Sequence, residues 1–314
     1  MTPDVPTHSA SEVWFGATVS TWGNRRPGEL MADIVLSVAA SHAPGLAGLY
    51  DGAPEETKAE VDKMYGTLEA EIAAADLDVL IVIGNDHLAN SRVLEYPDFL
   101  VGMAAEHTGP YEWFKPWLNC RDYSLIGRPD VAEAVISGMA QRGIKFFGRR
   151  ENLRYDDNLS IPTVLCNLDS HGVPVMPILQ NCTVPPIPDQ RDCYRVGEAL
   201  GDIIHNDLPD GMRVGLFGSG GMSHEPGGKR YFFIDEEFDQ WFLGLLENGD
   251  HAQLLAEVTP ERMEQSGEGG TAELFAWFVV LGAIGNMACS RLGYTAYDNF
   301  KCGVGAVRWE MGAR

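Results

Sequence analysis

The chain has 314 residues, 45% of them hydrophobic, and 45 acidic against 23 basic side chains give it a formal charge of −22. Such a surface repels phosphate backbones and anionic lipid, so nucleic-acid and membrane partners are excluded, while no particular partner is named. The six cysteines (Cys120, Cys166, Cys182, Cys193, Cys289 and Cys302) form no C-x-x-C pair and no apolar run reaches bilayer length, which predicts a cytoplasmic protein with reduced thiols.

Residues 1–30 form a polar extension, and Met31 resembles a second natural start. Arg25-Arg26 before the apolar stretch from Ile34 to Ala40 imitates an export signal, but Glu29 and Asp33 interrupt it. From Met31 to the end a single domain is expected, in which short apolar runs alternate with longer amphipathic ones in the manner of an α/β fold. Strands are predicted at 34–39, 78–83, 145–148, 173–179 and 213–217. The prolines of the 173–179 run place it at or near a sheet edge. Helices are predicted at 55–75, 129–142, 191–204, 235–247 and 271–289, the last apolar on most faces and therefore central to the core. Between them, 106–128 and 181–190 are long loops suited to walling a binding site.

Three histidines occupy one kind of position. His42 follows the first strand, His87 the second, and His224 the 213–217 strand across Gly218-Ser219-Gly220-Gly221. Parallel strands bring their carboxyl ends to one edge, so parallel strands here would gather the three in one crevice. A lone histidine at a strand end usually bonds a loop carbonyl; three in equivalent places point to a site. Two imidazoles and a carboxylate make the facial metal site of non-haem iron(II) oxygenases. Carboxylate candidates are Glu225, Asp235, Glu236, Glu237 and Glu273. The 235–237 run suits an exposed helix start. Glu273 opens an apolar helix and needs a partner, either a metal or the free N–H groups of that helix. Gly218–Gly221 lacks the spacing and lysine of a phosphate cradle, and no G-x-S-x-G elbow is present.

Several segments together resemble the class III extradiol ring-cleavage dioxygenases, the family typified by the catalytic β subunit of protocatechuate 4,5-dioxygenase. They are Ser41-His42-x-Pro44, Asn85-Asp86-His87, Gly218-x-Gly220-Gly221-Met222-Ser223-His224, Ile234-Asp235-x-Glu237-Phe238-Asp239 and Gly267-x-Gly269-Gly270-x-x-Glu273-Leu274-x-x-Trp277. The resemblance runs from about Asp33 to the end. It implies a three-layer α/β/α domain with a mixed central β-sheet, Fe(II) held by His42, His87 and Glu273, and His224 as acid/base. It also implies a small aromatic substrate, O2, a homodimer and, as in some relatives, an accessory subunit. Many relatives carry a further histidine where this chain has Asp157, in Asp156-Asp157-Asn158-Leu159-Ser160-Ile161-Pro162, a departure that bears on the substrate, means that Asp157 is protonated in an enclosed site, or marks a loop drifted to solvent. His107, Tyr111, Trp113 and Trp117 would line the pocket or pack their loop. Lys229 and Arg230 would meet a substrate carboxylate or lie at the surface. Two rival functions remain: a zinc hydrolase on the same ligands, and a binding protein without turnover.

Overall fold

The computed structural model describes residues 31–311, so the polar extension lies outside the described residues. The chain runs through β1 (Asp33–Ala40), α1 (Glu55–Ala74), β2 (Val79–Asp86), β3 (Phe99–Gly102), β4 (Glu106–Gly109) and β5 (Tyr123–Ile126). There follow α2 (Pro129–Gln141), β6 (Phe147–Arg149), α3 (Asp157–Leu165), β7 (Val175–Asn181), α4 (Gln190–Asp207) and β8 (Arg213–Ser219). Last come α5 (Glu236–Asn248), α6 (Phe275–Ile284), β9 (Cys289–Ala296) and β10 (Gly303–Trp309).

Eight strands form one mixed sheet in the order β6-β3-β7-β2-β8-β1-β10-β9, and β4 and β5 pair separately. Its centre is parallel: β7 with β2, β2 with β8, and β8 with β1. The alternation of a strand sends successive side chains to opposite faces. Val79, Ile81 and Ile83 of β2 therefore join one apolar layer with α2, α4, α5 and α6. Leu80 and Val82 join the other, with Val61, Met64 and Leu68 of α1 and Leu159 and Ile161 of α3. The result is the expected three-layer α/β/α arrangement on a mixed sheet. Among the described residues no helix is long and apolar enough to cross a membrane.

Two expectations are corrected. β7 is an interior strand, not an edge, although it carries Pro177. Its antiparallel pairing with the short β3 ends at Val101↔Ile178, so Pro177 lies just past the end of that ladder, where a missing N–H costs least. The helix expected over 271–289 is shorter: a 3₁₀ turn at Thr271–Leu274 leads into α6, which stops at Gly285 with φ 74°. A glycine at positive φ ends the helix, and Cys289 already begins β9. Within α6 every residue except Ala283 is buried, as expected of a central helix.

α6 and α4 approach so closely that they leave no room for a methyl group at their contact. A Cβ at Gly282 would lie 2.0 Å from the Tyr194 carbonyl of α4. In an exposed helix Gly→Ala stabilises by roughly 1 kcal/mol. Here overpacking reverses the sign, and Gly282→Ala is expected to destabilise by about 1–3 kcal/mol. Equilibrium urea unfolding reads this as a lower midpoint; an unchanged or raised midpoint contradicts the packing described.

Candidate metal and active site

The parallel centre delivers β1, β2 and β8 to one sheet edge, and His42, His87 and His224 stand on the segments that leave it. β10 is antiparallel to β1 and begins at the same edge, bringing Cys302 and Gly303 there. Opposite them, the turn ahead of α6 supplies Glu273, which is buried. His42 Nε2 lies 2.9 Å from Glu273 Oε2, His87 Nε2 3.2 Å from Oε1, and His224 Nε2 3.1 Å from Oε1. Of the candidate carboxylates, Glu273 alone meets the histidines. Its Oε2 accepts from the Gly221 amide at 2.9 Å rather than from its own helix, so it is not a cap. Asp235 caps α5 by accepting from Phe238 N, with Glu236 and Glu237 in the first turn. Glu225 is held by Arg230 at 2.7 Å.

Glycines make this approach feasible. A Cβ at Gly221 would come within 2.8 Å of His224 Cε1 and 2.9 Å of Glu273 Oε2, and one at Gly270 within 2.6 Å of His224 Cδ2. The glycines around His224 thus serve close contact more than a tight turn; among Gly218–Gly221 none has positive φ.

Hydrogen bonds behind the rings set which nitrogen carries the proton. Ser219 donates its hydroxyl to the Asn158 carbonyl at 2.7 Å, so it accepts from His42 Nδ1 at 2.9 Å. His87 Nδ1 donates to Asp156 Oδ2 at 3.1 Å. His224 Nδ1 donates to the Met222 carbonyl at 2.7 Å. A carbonyl and a carboxylate only accept, so each ring carries a proton on Nδ1, and in the neutral ring it is the Nε2 lone pair that faces inward. His42 Nε2 is buried and makes no hydrogen bond despite its closeness to Glu273. With the rings neutral these atoms are all acceptors, so the cluster is completed either by protons on Nε2 of His87 and His224, which then donate to Glu273 Oε1, or by a cation. The ligand atoms of His42, His87 and Glu273 all lie within 4.8 Å of one another. Two imidazoles braced from behind and one carboxylate are a donor set for a divalent transition metal.

Without a cation, charge on the rings would answer the carboxylate. Burial would raise the Glu273 carboxyl, but the three imidazoles around it hold it well below the usual carboxylate range. Burial would lower His87, yet Asp156, Asp157 and Glu273 push it well above the ordinary imidazole value. Among the described residues no lysine or arginine forms an ion pair with Glu273, Asp156 or Asp157.

Asp157 does not face solvent. It is the first residue of α3, buried, with Oδ1 3.2 Å from His87 Nδ1 and no hydrogen-bond partner. Of the two roles open to the aromatic loop, the contacts are those of packing. His107 is buried against the Tyr155 hydroxyl, Trp113 is 72% exposed and Trp117 48%. Arg230 is engaged by Glu225 and by the Glu264 and Gln265 carbonyls. Sequence reasoning missed Asp156 and Ser219 as the braces of His87 and His42. Ser219 and Asp156 both sit inside the singled-out segments, but what they touch is decided by residues 177 and 69 positions away.

The chain belongs to the family described as the catalytic LigB subunit of aromatic ring-opening dioxygenase, which matches residues 37–305. Over 192 residues, 61% of this chain, it is 28% identical to a 2,3-dihydroxyphenylpropionate/2,3-dihydroxicinnamic acid 1,2-dioxygenase of Photorhabdus laumondii. To the enzyme of that name from Paraburkholderia xenovorans it is 30% identical over 193 residues. The matched segments span 56% and 57% of those relatives, a little over half their length. A gallate dioxygenase of Pseudomonas putida is 33% identical over 116 residues, 37% of this chain and 33% of the relative. The crystal structure of an uncharacterized protein from Escherichia coli K12 shares the fold, with TM-score 0.54 and 12% identity over 87% of this chain and 99% of the other.

If Ser219 fixes the His42 tautomer, Ser219→Ala frees Nδ1 and weakens the site. Affinity for a divalent metal, read by anaerobic titration of metal-free protein, is expected to fall about 10–100-fold. Wild-type affinity in the variant would show that Ser219 does not orient the ligand.

Proposed function

We propose that the protein is a non-haem iron(II)-dependent extradiol dioxygenase that opens a small catechol-like, gallate-like or dihydroxylated heteroaromatic ring with O2. The observation that carries this reading is the convergence of His42 Nε2, His87 Nε2 and a Glu273 oxygen on one point, with His224 against the same carboxylate. Two imidazoles and one carboxylate on one face leave positions for a chelating diol and for O2. Family membership and the ring-cleaving names of the relatives support the reaction class.

In this reading His42, His87 and Glu273 hold the metal. Bound iron(II) would acidify the ring hydroxyls and carry electron density from ring to O2. His224 handles protons. Its Nδ1 proton is committed to the Met222 carbonyl, so a proton taken from a ring hydroxyl enters at Nε2, and the same atom returns one as the ring opens. Asp156 keeps the His87 proton on Nδ1 and so keeps Nε2 available to the metal. Asp157 contributes a buried carboxylate oxygen 3.2 Å from His87 Nδ1 with no hydrogen bond of its own, which would accept from an O–H or N–H on the substrate and disfavour an anionic group there. Aminophenols and hydroxypyridines therefore belong in the substrate set beside catechols and gallates.

Oxygen uptake by protein reconstituted anaerobically with iron(II) tests this, across catechols, gallates, aminophenols and dihydroxypyridines. Wild type is expected to consume O2 with a ring-opened product. His224→Ala should retain iron and lose about 10²–10⁴-fold in kcat, whereas His42→Ala should lose iron and activity together. Iron bound with no oxygen consumed on any ring, or hydrolysis by the zinc-loaded protein without oxygen, would contradict the proposal.

A further inference from the structure

Behind His224 lies a second buried carboxylate. Asp239, in α5, is fully buried, and among the described residues it forms no ion pair. A carboxylate placed so without a cation is costly unless hydrogen bonds replace its water. Asp239 has three: Oδ1 accepts from Ser223 N at 2.9 Å, and Oδ2 accepts from Ser223 Oγ and Tyr294 Oη, both at 2.9 Å. A Cβ at Gly303 would lie 1.9 Å from Asp239 Oδ2, so the start of β10 is also shaped around this carboxylate.

The Ser223 N–H belongs to the same peptide group as the Met222 carbonyl. That peptide is trans and planar, so its N–H and C=O point in opposite directions. One end meets Asp239 Oδ1 at 2.9 Å; the other meets His224 Nδ1 at 2.7 Å. The sequence of contacts is carboxylate, amide N–H, amide C=O, imidazole N–H. A negative charge on the N–H side polarises the amide and makes its oxygen a stronger acceptor, because hydrogen bonds in a chain reinforce one another at low dielectric. The remaining polar groups of Ser223 are also engaged: its hydroxyl accepts from Asp235 N at 2.9 Å and its carbonyl from Gly303 N at 3.1 Å. The Cys302 thiol lies 3.7 Å from His224 Nδ1, 3.2 Å from the Gly303 carbonyl and 3.9 Å from the Met222 carbonyl, so the shorter His224 contact dominates at the Met222 oxygen.

We propose that Asp239 is a positioning residue for His224, acting through the Met222–Ser223 peptide to fix the ring and hold its proton on Nδ1. The inference rests on His224 having the acid/base role given above. A carboxylate bound directly to an imidazole does the same work in many enzymes; here a peptide group stands between them.

Asp239→Asn separates charge from shape. The amide oxygen still accepts from Ser223 N, and the Ser223 and Tyr294 hydroxyls can turn to accept from the new NH2. Removing an unpaired buried charge should leave thermal stability unchanged or higher. In the iron-loaded variant, kcat is expected to fall roughly tenfold or more, since charge-assisted hydrogen bonds are about twice as strong as neutral ones. KM and iron content should stay as in wild type. In metal-free protein labelled with ¹⁵N-serine, the Ser223 amide proton should move upfield. Wild-type kcat in the variant overturns the proposal, and so does a loss that accompanies loss of iron or of fold, which would mark Asp239 as scaffold alone. If wild type turns over no ring, the acid/base reading fails separately, and the amide resonance decides the relay: an unshifted Ser223 proton overturns it.

Discussion

Glu273 is a carboxylate buried among imidazoles, and much of the surrounding architecture answers to it. Removing an ionised carboxylate from water costs several kcal/mol unless opposite charge or several donors replace the solvent. Its oxygens face His42, His87, His224 and one backbone N–H. Each ring already spends its Nδ1 proton on another partner, so the carboxylate lies among lone pairs, and the arrangement is complete only with a cation or with protons on the rings. That tension accounts for the directions in which His87, His224 and Glu273 are all driven from their ordinary proton affinities. It also accounts for the absence of side chains at Gly221 and Gly270, where a methyl would separate the groups.

The sheet makes such a cluster possible. Neighbouring parallel strands end together, so residues 42, 87 and 224, far apart in the chain, leave one edge within hydrogen-bonding reach of one acid. Each ring is braced by a partner from the opposing apolar layers or their loops: Ser219 and the α3 carbonyl of Asn158 for His42, Asp156 for His87, and the polarised Met222 carbonyl for His224. α5 joins through Asp239 and α6 through the turn that carries Glu273. The site is thus tied to helices on both faces of the sheet, which ties its geometry to the packing of the core.

Much of this was legible in the sequence, for identifiable reasons. Strand-end histidines are visible because apolar runs mark the strands, and Glu273 is visible because a carboxylate opening an apolar helix is out of place. What was hidden depends on contacts between distant segments. The end of α6 is masked because Met287 and Ala288 continue its apolar composition beyond Gly285. β9 and β10 went unseen for a related reason: β9 is an edge strand of mostly half-buried residues, and its pattern is weak until its partner is known. The interior place of β7 could not be read from its prolines, since what matters is the length of the β3 ladder beside it. Asp156 and Asp157 are neighbours of the same type, and sequence does not say that the first accepts the hydrogen bond of His87 Nδ1 while the second stands 3.2 Å from the same nitrogen without one.

The central claim is that His42, His87 and Glu273 together hold one metal ion. The most direct measurement is a crystal structure of protein loaded anaerobically with iron(II), with anomalous diffraction recorded across the iron edge. The account predicts one strong peak enclosed by His42 Nε2, His87 Nε2 and a Glu273 oxygen, with His224 beside it and outside the coordination sphere. A peak instead among His87 Nδ1, Asp156 and Asp157, the other cluster of ligand atoms at this edge, or no peak at either place, would contradict it.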